Sequence, residues 1–458
     1  MNKKYGADTG GCLPFLKTRV LFVSLGCDKN LVDSEVMLGL LEDGGYQIVD
    51  DETEADVIVI NTCCFIHDAK EESIQTILEM AEYKKTGNLK ALIVTGCLAQ
   101  RYYKEIGTEL PEVDAVLGTT AYDKICDVIK KTLAGKGSVT LGDLDALPLQ
   151  ETRRLVTTGG HYAYLKIAEG CDKHCTYCII PKLRGRYRSV PVERLVKEAE
   201  ELAGQGVKEL ILVAQETTLY GKDLYGEKSL HRLLKRLCQI SGLKWIRILY
   251  CYPEEIYDEL VRVMKEEKKI CRYLDLPIQH ASDAVLKGMG RRTSKKQLKE
   301  MIGRLREEIP DITLRTTLIT GFPGETKEQH KELLEFVDEM EFDRLGVFTY
   351  SPEEDTPAAE MPGQIPEEVK EERQAELMEL QQEIAFARAE TMEGQEILVM
   401  IEGKVADENV YVGRTQKDAP NVDGLIFINT DREMMSGDFA RVKVTGALEY
   451  DLIGELVE

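Results

Sequence analysis

Three cysteines, Cys171, Cys175 and Cys178, stand in the run Gly170-Cys171-Asp172-Lys173-His174-Cys175-Thr176-Tyr177-Cys178, directly after a strand-like segment at 162–167. Three thiolates are one too few for a cubane of four irons, which four cysteines normally hold. A loop of this kind leaves one iron without a protein ligand, open to a substrate or cofactor, as catalytic zinc sites keep an open position. A zinc loop with His174 as fourth ligand is the alternative. Zinc knuckles, however, pair two short Cys/His spacings, and the chain has no second one.

The surroundings of the loop repeat one pattern. From about residue 155, β-rich runs at 162–167, 209–214, 245–249, 273–277, 313–319 and 344–349 alternate with helical patterns such as 192–203 and 230–240. Six strand–helix repeats predict an α/β unit over 155–390, a partial (β/α)6 barrel whose chemistry belongs at the carboxyl ends of the strands. The three-cysteine loop follows the first strand, on that rim. A helix over 366–389 ends the unit, and its stripe of Val369, Leu377, Leu380, Ile384 and Ala387 reads as a docking face.

Residues 17–145 also alternate, with strand-like runs at 19–25, 56–60, 89–95 and 115–117 separated by amphipathic stretches such as 34–42 and 69–82. This predicts an open parallel α/β sheet. Cys27 follows the first run, Cys63 the second and Cys97 the third. Ligand sites in open α/β sheets form beyond the carboxyl ends of the strands, so three distant cysteines are expected on one edge. Again they are one thiolate short of a cubane. Free cysteines are commonly small buried hydrophobes, but burial gives no reason for three matching positions after strands. Cys64, Cys126, Cys238, Cys251 and Cys271 have no partner at ligand spacing and read as packing residues. Cys12 falls in a Gly-rich leader over 1–16, expected to be flexible, and reads as incidental.

Beyond Gly394 the pattern changes to alternating β segments at 396–401, 409–413, 424–429 and 438–445, which predict a small all-β barrel over 391–458. From Thr391 to Glu458 there are 14 acidic against 6 basic residues, within a chain of formal net charge −22. A protein that clamps nucleic acid displaces phosphate counterions with Lys and Arg, so this charge argues against a large phosphate-binding surface. Acidity for solubility alone is the alternative. At 458 residues there is room for three domains. Apolar runs such as 20–25 and 57–60 are of strand length, far short of a membrane span. Twelve cysteines without a secretory start point to a reduced, cytoplasmic setting, where cysteine clusters mean metal or catalysis.

Taken together, the three amino-terminal cysteines, the CxxxCxxC loop with an aromatic before its last cysteine, the run Gly321-Phe322-Pro323-Gly324-Glu325-Thr326 and a terminal barrel of the TRAM type resemble the radical S-adenosylmethionine (SAM) methylthiotransferases. The resemblance spans essentially the whole chain beyond the leader. One branch of that family modifies a tRNA adenosine, the other an aspartate of small-subunit ribosomal protein twelve. Two stretches resemble the protein-modifying branch: Ser24-Leu25-Gly26-Cys27-Asp28-Lys29-Asn30-Leu31-Val32-Asp33-Ser34-Glu35, and Asp418-Ala419-Pro420-Asn421-Val422-Asp423-Gly424 preceded by Arg414. The tRNA branch usually has Gln-Met-Asn after the first of these cysteines, and Asp28 stands where many relatives carry Pro. The acidic barrel agrees, since it would repel RNA and attract a basic protein.

The resemblance implies two 4Fe-4S clusters and SAM as cofactors. Cys171, Cys175 and Cys178 are expected to hold the cluster that gives an electron to SAM, releasing methionine and a deoxyadenosyl radical that takes a hydrogen from the β-carbon of the aspartate. Cys27, Cys63 and Cys97 are expected to hold the cluster that carries the inserted sulfur, and a second SAM to supply the methyl group. Tyr177 is expected near the adenine, Gln215 and Glu216 near the SAM amino group, with Gln279, His280 and the turn from Gly321 to Glu325 at later strand ends. A structural turn or helix cap is the alternative at each, and a satisfied core histidine at His280. Arg184, Arg186 and Arg188 form either a solvated face or a contact to an acidic side chain or RNA phosphate. Implied partners are a basic ribosomal protein, a reduced flavodoxin or ferredoxin-type electron donor and a sulfide or persulfide source, with no membrane and no direct RNA binding. The rivals are the tRNA-modifying branch and a non-enzymatic iron–sulfur carrier, which has no use for a six-strand barrel with SAM-like turns.

Overall fold

The computed structural model describes residues 17–147, 153–406 and 408–457, so the expected leader and Cys12 lie outside the described residues. The first sheet contains β1 (Arg19–Ser24), β2 (Gln47–Val49), β3 (Val57–Thr62), β4 (Ala91–Thr95), β5 (Ala115–Leu117) and β6 (Ser138–Thr140), in the order β2-β1-β3-β4-β5-β6. Every pairing is parallel. Strands β3 and β4 are buried along their whole length, as parallel strands between two helical layers must be. Ile58, Ile60, Leu92 and Val94 pack on one layer, and Val57, Val59, Ala91 and Ile93 on the other. The strand order reverses between β1 and β3, the switch point where such sheets open a crevice. The edge strands β2 and β6 were not read as strands: each is three residues long and, unlike the equally short but buried β5, only partly buried, so no apolar run marks it.

The second sheet holds β7 (Tyr162–Lys166) and, after the short antiparallel pair β8 (Ala168–Glu169) and β9 (Arg188–Ser189), β10 (Glu209–Val213), β11 (Trp245–Ile248), β12 (Ile270–Asp275), β13 (Thr313–Thr320) and β14 (Arg344–Thr349). Its order is β14-β13-β12-β11-β10-β7, all parallel. This is the expected partial barrel. Strand β12 starts and ends earlier than the run at 273–277, since Pro277 has no N–H to give the ladder. Ala163, Leu165, Leu210, Leu212, Ile246 and Ile248 face the helical layer. Their alternates Tyr162, Tyr164, Ile211, Val213, Trp245 and Tyr273 face inward, where Leu31 and Val32 from the first domain and Met400, Ala419 and Phe439 from the last cover them. In the helix Glu367–Glu390, Leu377, Leu380 and Ile384 of the expected stripe join the barrel's outer core and Ala389 joins the core of the last domain, whereas Ala387 of that stripe is exposed.

That last domain is a closed barrel of β15 (Glu396–Lys404), β16 (Val410–Arg414), β17 (Ile426–Asn429), β18 (Phe439–Ala447) and β19 (Leu452–Leu456), ordered β15-β16-β17-β19-β18. The sequence reading has four of these strands and lacks β19. Gly454 explains the omission, since glycine in a short run reads as a break. Here it is what closes the barrel: a Cβ at Gly454 would stand 2.4 Å from Val442 Cγ1. No helix among the described residues is long and apolar enough to cross a membrane.

Candidate metal and cofactor site

Each amino-terminal cysteine leaves the end of a strand. Cys27 precedes the helix Asp28–Asp43 beyond β1, Cys63 follows β3, and Cys97 lies in the helix Gly96–Arg101 that continues from β4. Two glycines with positive φ let these loops approach. At Gly26 (φ +86°) a Cβ would lie 2.7 Å from Cys63 Cβ, and at Gly96 (φ +90°) one would lie 2.3 Å from Asn61 Oδ1. Glycine alone meets both demands. Asn30 straps the loops together, its Nδ2 donating to Leu25 O at 3.2 Å and Thr62 O at 3.0 Å, while Asn61 Nδ2 donates to Asn30 O at 2.9 Å. Cys63 and Cys97 are buried and Cys27 is exposed. Burial, with Cys97 and Cys27 beside it, pushes the Cys63 thiol up to about 12. Burial also raises Cys97, against the pull of Arg184. A bound metal cluster supplies the positive charge that deprotonates such thiols. Among the described residues, no three His, Cys, Asp or Glu groups form a single-ion site.

The second triplet is held by a different set of contacts. At Gly170 (φ +78°) a Cβ would stand 2.0 Å from Arg186 O, so only glycine lets the chain turn into Cys171 against the residues leading into β9. Thr176 N donates to Met289 O at 3.0 Å and Thr176 Oγ1 to Gly288 O at 2.8 Å. Burial pushes Cys171 up to about 11 and Cys178 up to about 12, with Cys175 adding to both. The Tyr252 hydroxyl lies 3.6 Å from Cys175 Sγ, and the Tyr252 ring is flanked by Arg291 at 4.3 Å and Lys173 at 4.9 Å. His174 is exposed on left-handed backbone (φ +54°), which does not suit the fourth ligand of a zinc loop.

The strand ends divide into two kinds. Gln215 Nε2 donates to Glu169 Oε1 at 2.8 Å, leaving its own Oε1 buried and without a hydrogen bond. Gln279, beyond β12, has φ +73° and an equally orphaned Oε1. Unpaired buried acceptors are rare, and two of them on this rim fit a cationic amino group. Glu216 is fully buried; burial raises it to about 7, although Lys173 Nζ lies 3.4 Å from Oε2 and Thr218 Oγ1 donates to Oε1 at 2.7 Å. Tyr177 packs against the apolar group of Val285, Met289, Phe322, Tyr350 and Ala358. The turn after β13 is of the other kind. Glu325 Oε2 accepts from Gly321 N at 2.5 Å and Phe322 N at 3.1 Å, and Arg373 Nη1 stands 3.1 Å from Oε1. A Cβ on Gly321 would meet Lys370 Cγ at 2.3 Å. One carboxylate oxygen of Glu325 and the bare Cα of Gly321 thus shape the turn, while Glu325 Oε1 is buried without a hydrogen bond. His280 is buried, with Nδ1 accepting from Ser282 N at 2.9 Å and Nε2 without a hydrogen bond, 3.9 Å from Glu325 Oε1.

Between the two triplets runs a buried ionic network. Arg184 Nη1 reaches Asp33 Oδ2 at 2.7 Å and Glu169 Oε2 at 3.4 Å, while Nη2 donates to Asn30 Oδ1 and lies 3.5 Å from Cys97 Sγ. Lys166 Nζ bonds the same two acids, Asp33 and, at 2.7 Å, Glu169. Of the three arginines, Arg184 and Arg188 are buried and Arg186 is exposed, so the contact to an acidic side chain is the reading that holds for Arg184. Asp33, Lys166 and Glu169 were missed in the sequence. Their signal was a charged residue in or beside runs otherwise fit for burial, such as Lys166 in YAYLK.

Three family models match successive parts of the chain: the Uncharacterized protein family UPF0004 over residues 19–118, the Radical SAM superfamily over 165–337 and the TRAM domain over 394–457. The ribosomal protein uS12 methylthiotransferase RimO of Lachnoclostridium phytofermentans is 66% identical over 436 residues, 95% of this chain and 99% of the relative. The protein of the same name from Clostridioides difficile is 50% identical, covering 96% and 99%. Among solved structures, the radical S-adenosylmethionine methyltransferase TsrM from Kitasatospora setae, with cobalamin and a 4Fe-4S cluster bound, superposes with a TM-score of 0.56 at 16% identity, covering 75% of this chain and 77% of that one. That likeness is one of fold.

Proposed function

The chain belongs to the ribosomal protein uS12 methylthiotransferase (RimO) family, and from that premise we propose that it is a radical SAM transferase acting on the β-carbon of an aspartate in ribosomal protein uS12. The observation that carries this reading is the linkage of two cysteine triplets, each beyond the carboxyl ends of its own sheet, through Arg184, six residues after Cys178 and 3.5 Å from Cys97 Sγ. Cys171, Cys175 and Cys178 would hold one 4Fe-4S cluster, and Cys27, Cys63 and Cys97 the other. When bound, these groups and SAM supply the electron, the deoxyadenosyl radical, the sulfur and the methyl group.

The chain's own residues bind, orient and exclude water. The free Oε1 atoms of Gln215 and Gln279 would accept from the SAM amino group, and Tyr177 would offer an apolar wall to the adenine. Leu31 and Val32 close the inner face of the barrel beneath the site, which keeps solvent from a reactive radical. The acidic C-terminal barrel draws in a basic ribosomal protein, a complementarity that raises encounter rate and specificity. A reduced flavodoxin or ferredoxin-type donor and a sulfide or persulfide source complete the reaction in the cytoplasm.

The test is anaerobic reconstitution with SAM, reductant, uS12 and tRNA. About eight irons per chain are expected for two cubanes, with a methylthio group on uS12 and none on tRNA. The C27A variant should lose sulfur insertion and keep SAM cleavage. A methylthio group on tRNA alone, or no deoxyadenosine, overturns the proposal.

A further inference from the structure

We propose that Arg184 is a positioning residue that sets the one-electron reduction potential of the amino-terminal cluster, through a charge-assisted N–H···S contact to Cys97 delivered by the segment that ends the other cluster's loop. The inference rests on the two-cluster reading above and goes beyond it, because it assigns a role to a side chain that is no ligand.

The geometry separates the two halves of the guanidinium. Nη1 faces the carboxylates of Asp33 and Glu169. Nη2 faces the Asn30 carbonyl and the Cys97 sulfur. Lys166 binds the same two carboxylates, so two cations and two anions already balance without any help from sulfur. A salt bridge alone would need only the first half of the fork. The second half is aimed at the cysteine by Asn30, whose amide nitrogen is tied to the loops after β1 and β3 that carry Cys27 and Cys63. Arg184 thus touches Cys97 directly and the loops carrying Cys27 and Cys63 through Asn30, from a helix (Ile180–Arg184) that follows Cys178 by one residue. Its exposure is 2% and that of Cys97 is 7%. In such a dry setting a positive charge beside a sulfur is weakly screened.

Among the described residues, no Arg or Lys nitrogen makes a hydrogen bond to a sulfur of the other triplet. There the Tyr252 hydroxyl lies 3.6 Å from Cys175 Sγ, and Arg291 and Lys173 stand over the Tyr252 ring at 4.3 and 4.9 Å. Iron–sulfur potentials follow net charge and hydrogen bonds to the sulfurs. Adding an electron makes a cluster more negative, and a cation bonded to its sulfur stabilises that state. Arg184 should therefore hold the amino-terminal cluster at a more positive potential than its three thiolates alone would give.

The decisive experiment uses the full chain with Cys171, Cys175 and Cys178 changed to Ala, so that iron resides only at the amino-terminal site. Its midpoint potential is read by electron paramagnetic resonance during a dithionite titration, with Arg184 intact or replaced. R184Q should shift the midpoint negative by at least a tenfold change in the reduced-to-oxidised ratio, about 59 mV for a one-electron couple. R184K, which keeps the charge and loses the fork, should shift it less. In the reciprocal background, C27A/C63A/C97A, R184Q should leave the remaining cluster unmoved. If R184Q alone takes up no iron, D33N/R184Q removes the stranded carboxylate with its cation and carries the same expectation. An unchanged midpoint in iron-loaded R184Q, or equal shifts of both clusters, overturns this proposal alone. A parent chain that binds no second cluster overturns the functional reading as well.

Discussion

Glu216 has no exposed surface, and its neighbours are Lys173, 3.4 Å from one oxygen, and the Thr218 hydroxyl, 2.7 Å from the other. Burial outweighs both and lifts the carboxyl from its ordinary 4.5 to about 7. Between those values the folded chain keeps a proton that the unfolded chain has released, so stability falls as pH rises through the window and the full penalty stands above it. At 1.36 kcal/mol per unit the penalty is about 3 kcal/mol. The iron-free E216Q chain carries no such penalty, but it loses part of a hydrogen bond worth about 1 kcal/mol. Urea unfolding should show parent and variant nearly matched at about pH 5 and the variant more stable at about pH 8. Identical pH slopes for the two chains would contradict a buried, proton-sharing Glu216.

At the level of elements, the positions of Cys27, Cys63 and Cys97 were legible because strand ends are legible: apolar runs of five or six residues followed by Gly-Cys or Thr-Cys mark where a parallel strand stops. What brings the ends together was not legible, since it depends on register between strands far apart in sequence. Gly26 shows the difference. In the sequence it is a turn residue; in the fold it is the only residue type that lets Cys27 pass Cys63. G26A places a methyl group 2.7 Å from Cys63 Cβ on backbone with φ +86°, a combination that costs about 1–3 kcal/mol and displaces the loop. Iron content should fall from about eight toward about four per chain, while deoxyadenosine formation persists. Retention of all the iron would mean that the loops tolerate more spread than their packing implies. The strand-end residues divide on the same ground. The place of Gln215 and Gln279 at strand ends was legible. The inward turn of Glu325 depends on Gly321 and Phe322 amides that only the folded turn aims at it.

Across the whole molecule, the acidic C-terminal barrel is joined to the centre by charges that a count of the sequence assigns to its surface. Arg414 Nη2 donates to Glu209 Oε2 at 2.7 Å, Nε to Glu402 Oε1 at 2.7 Å and Nη1 to Asp418 O at 2.9 Å. Arg344 Nε donates to Asp418 Oδ1 at 3.1 Å, and the Tyr273 hydroxyl donates to Asp423 Oδ2 at 2.7 Å. The run from Asp418 to Gly424 thus seats the barrel against the inner face of the central sheet, and the acids left outside are those available to a basic partner. The chain's single tryptophan reports on this joint, because Trp245 is buried with its ring 5.0 Å from Phe439 of the barrel at 88°. R414A would leave Glu402 held only by His161, whose Nε2 lies 2.8 Å from Oε2, and would strand half of Glu209. Removing one partner of a buried pair costs about 3–5 kcal/mol, and the lower end applies because Arg247 still holds Glu209 at 2.8 Å. Tryptophan emission should therefore shift to the red at lower urea in R414A, ahead of the loss of helix signal, as the barrel undocks. R441A, on the exposed side of β18, should stay within about 0.5 kcal/mol of the parent. Were both variants to unfold with emission and helix signal still coincident, the barrel would be held by its apolar contacts alone, and Arg414 would have no part in docking it.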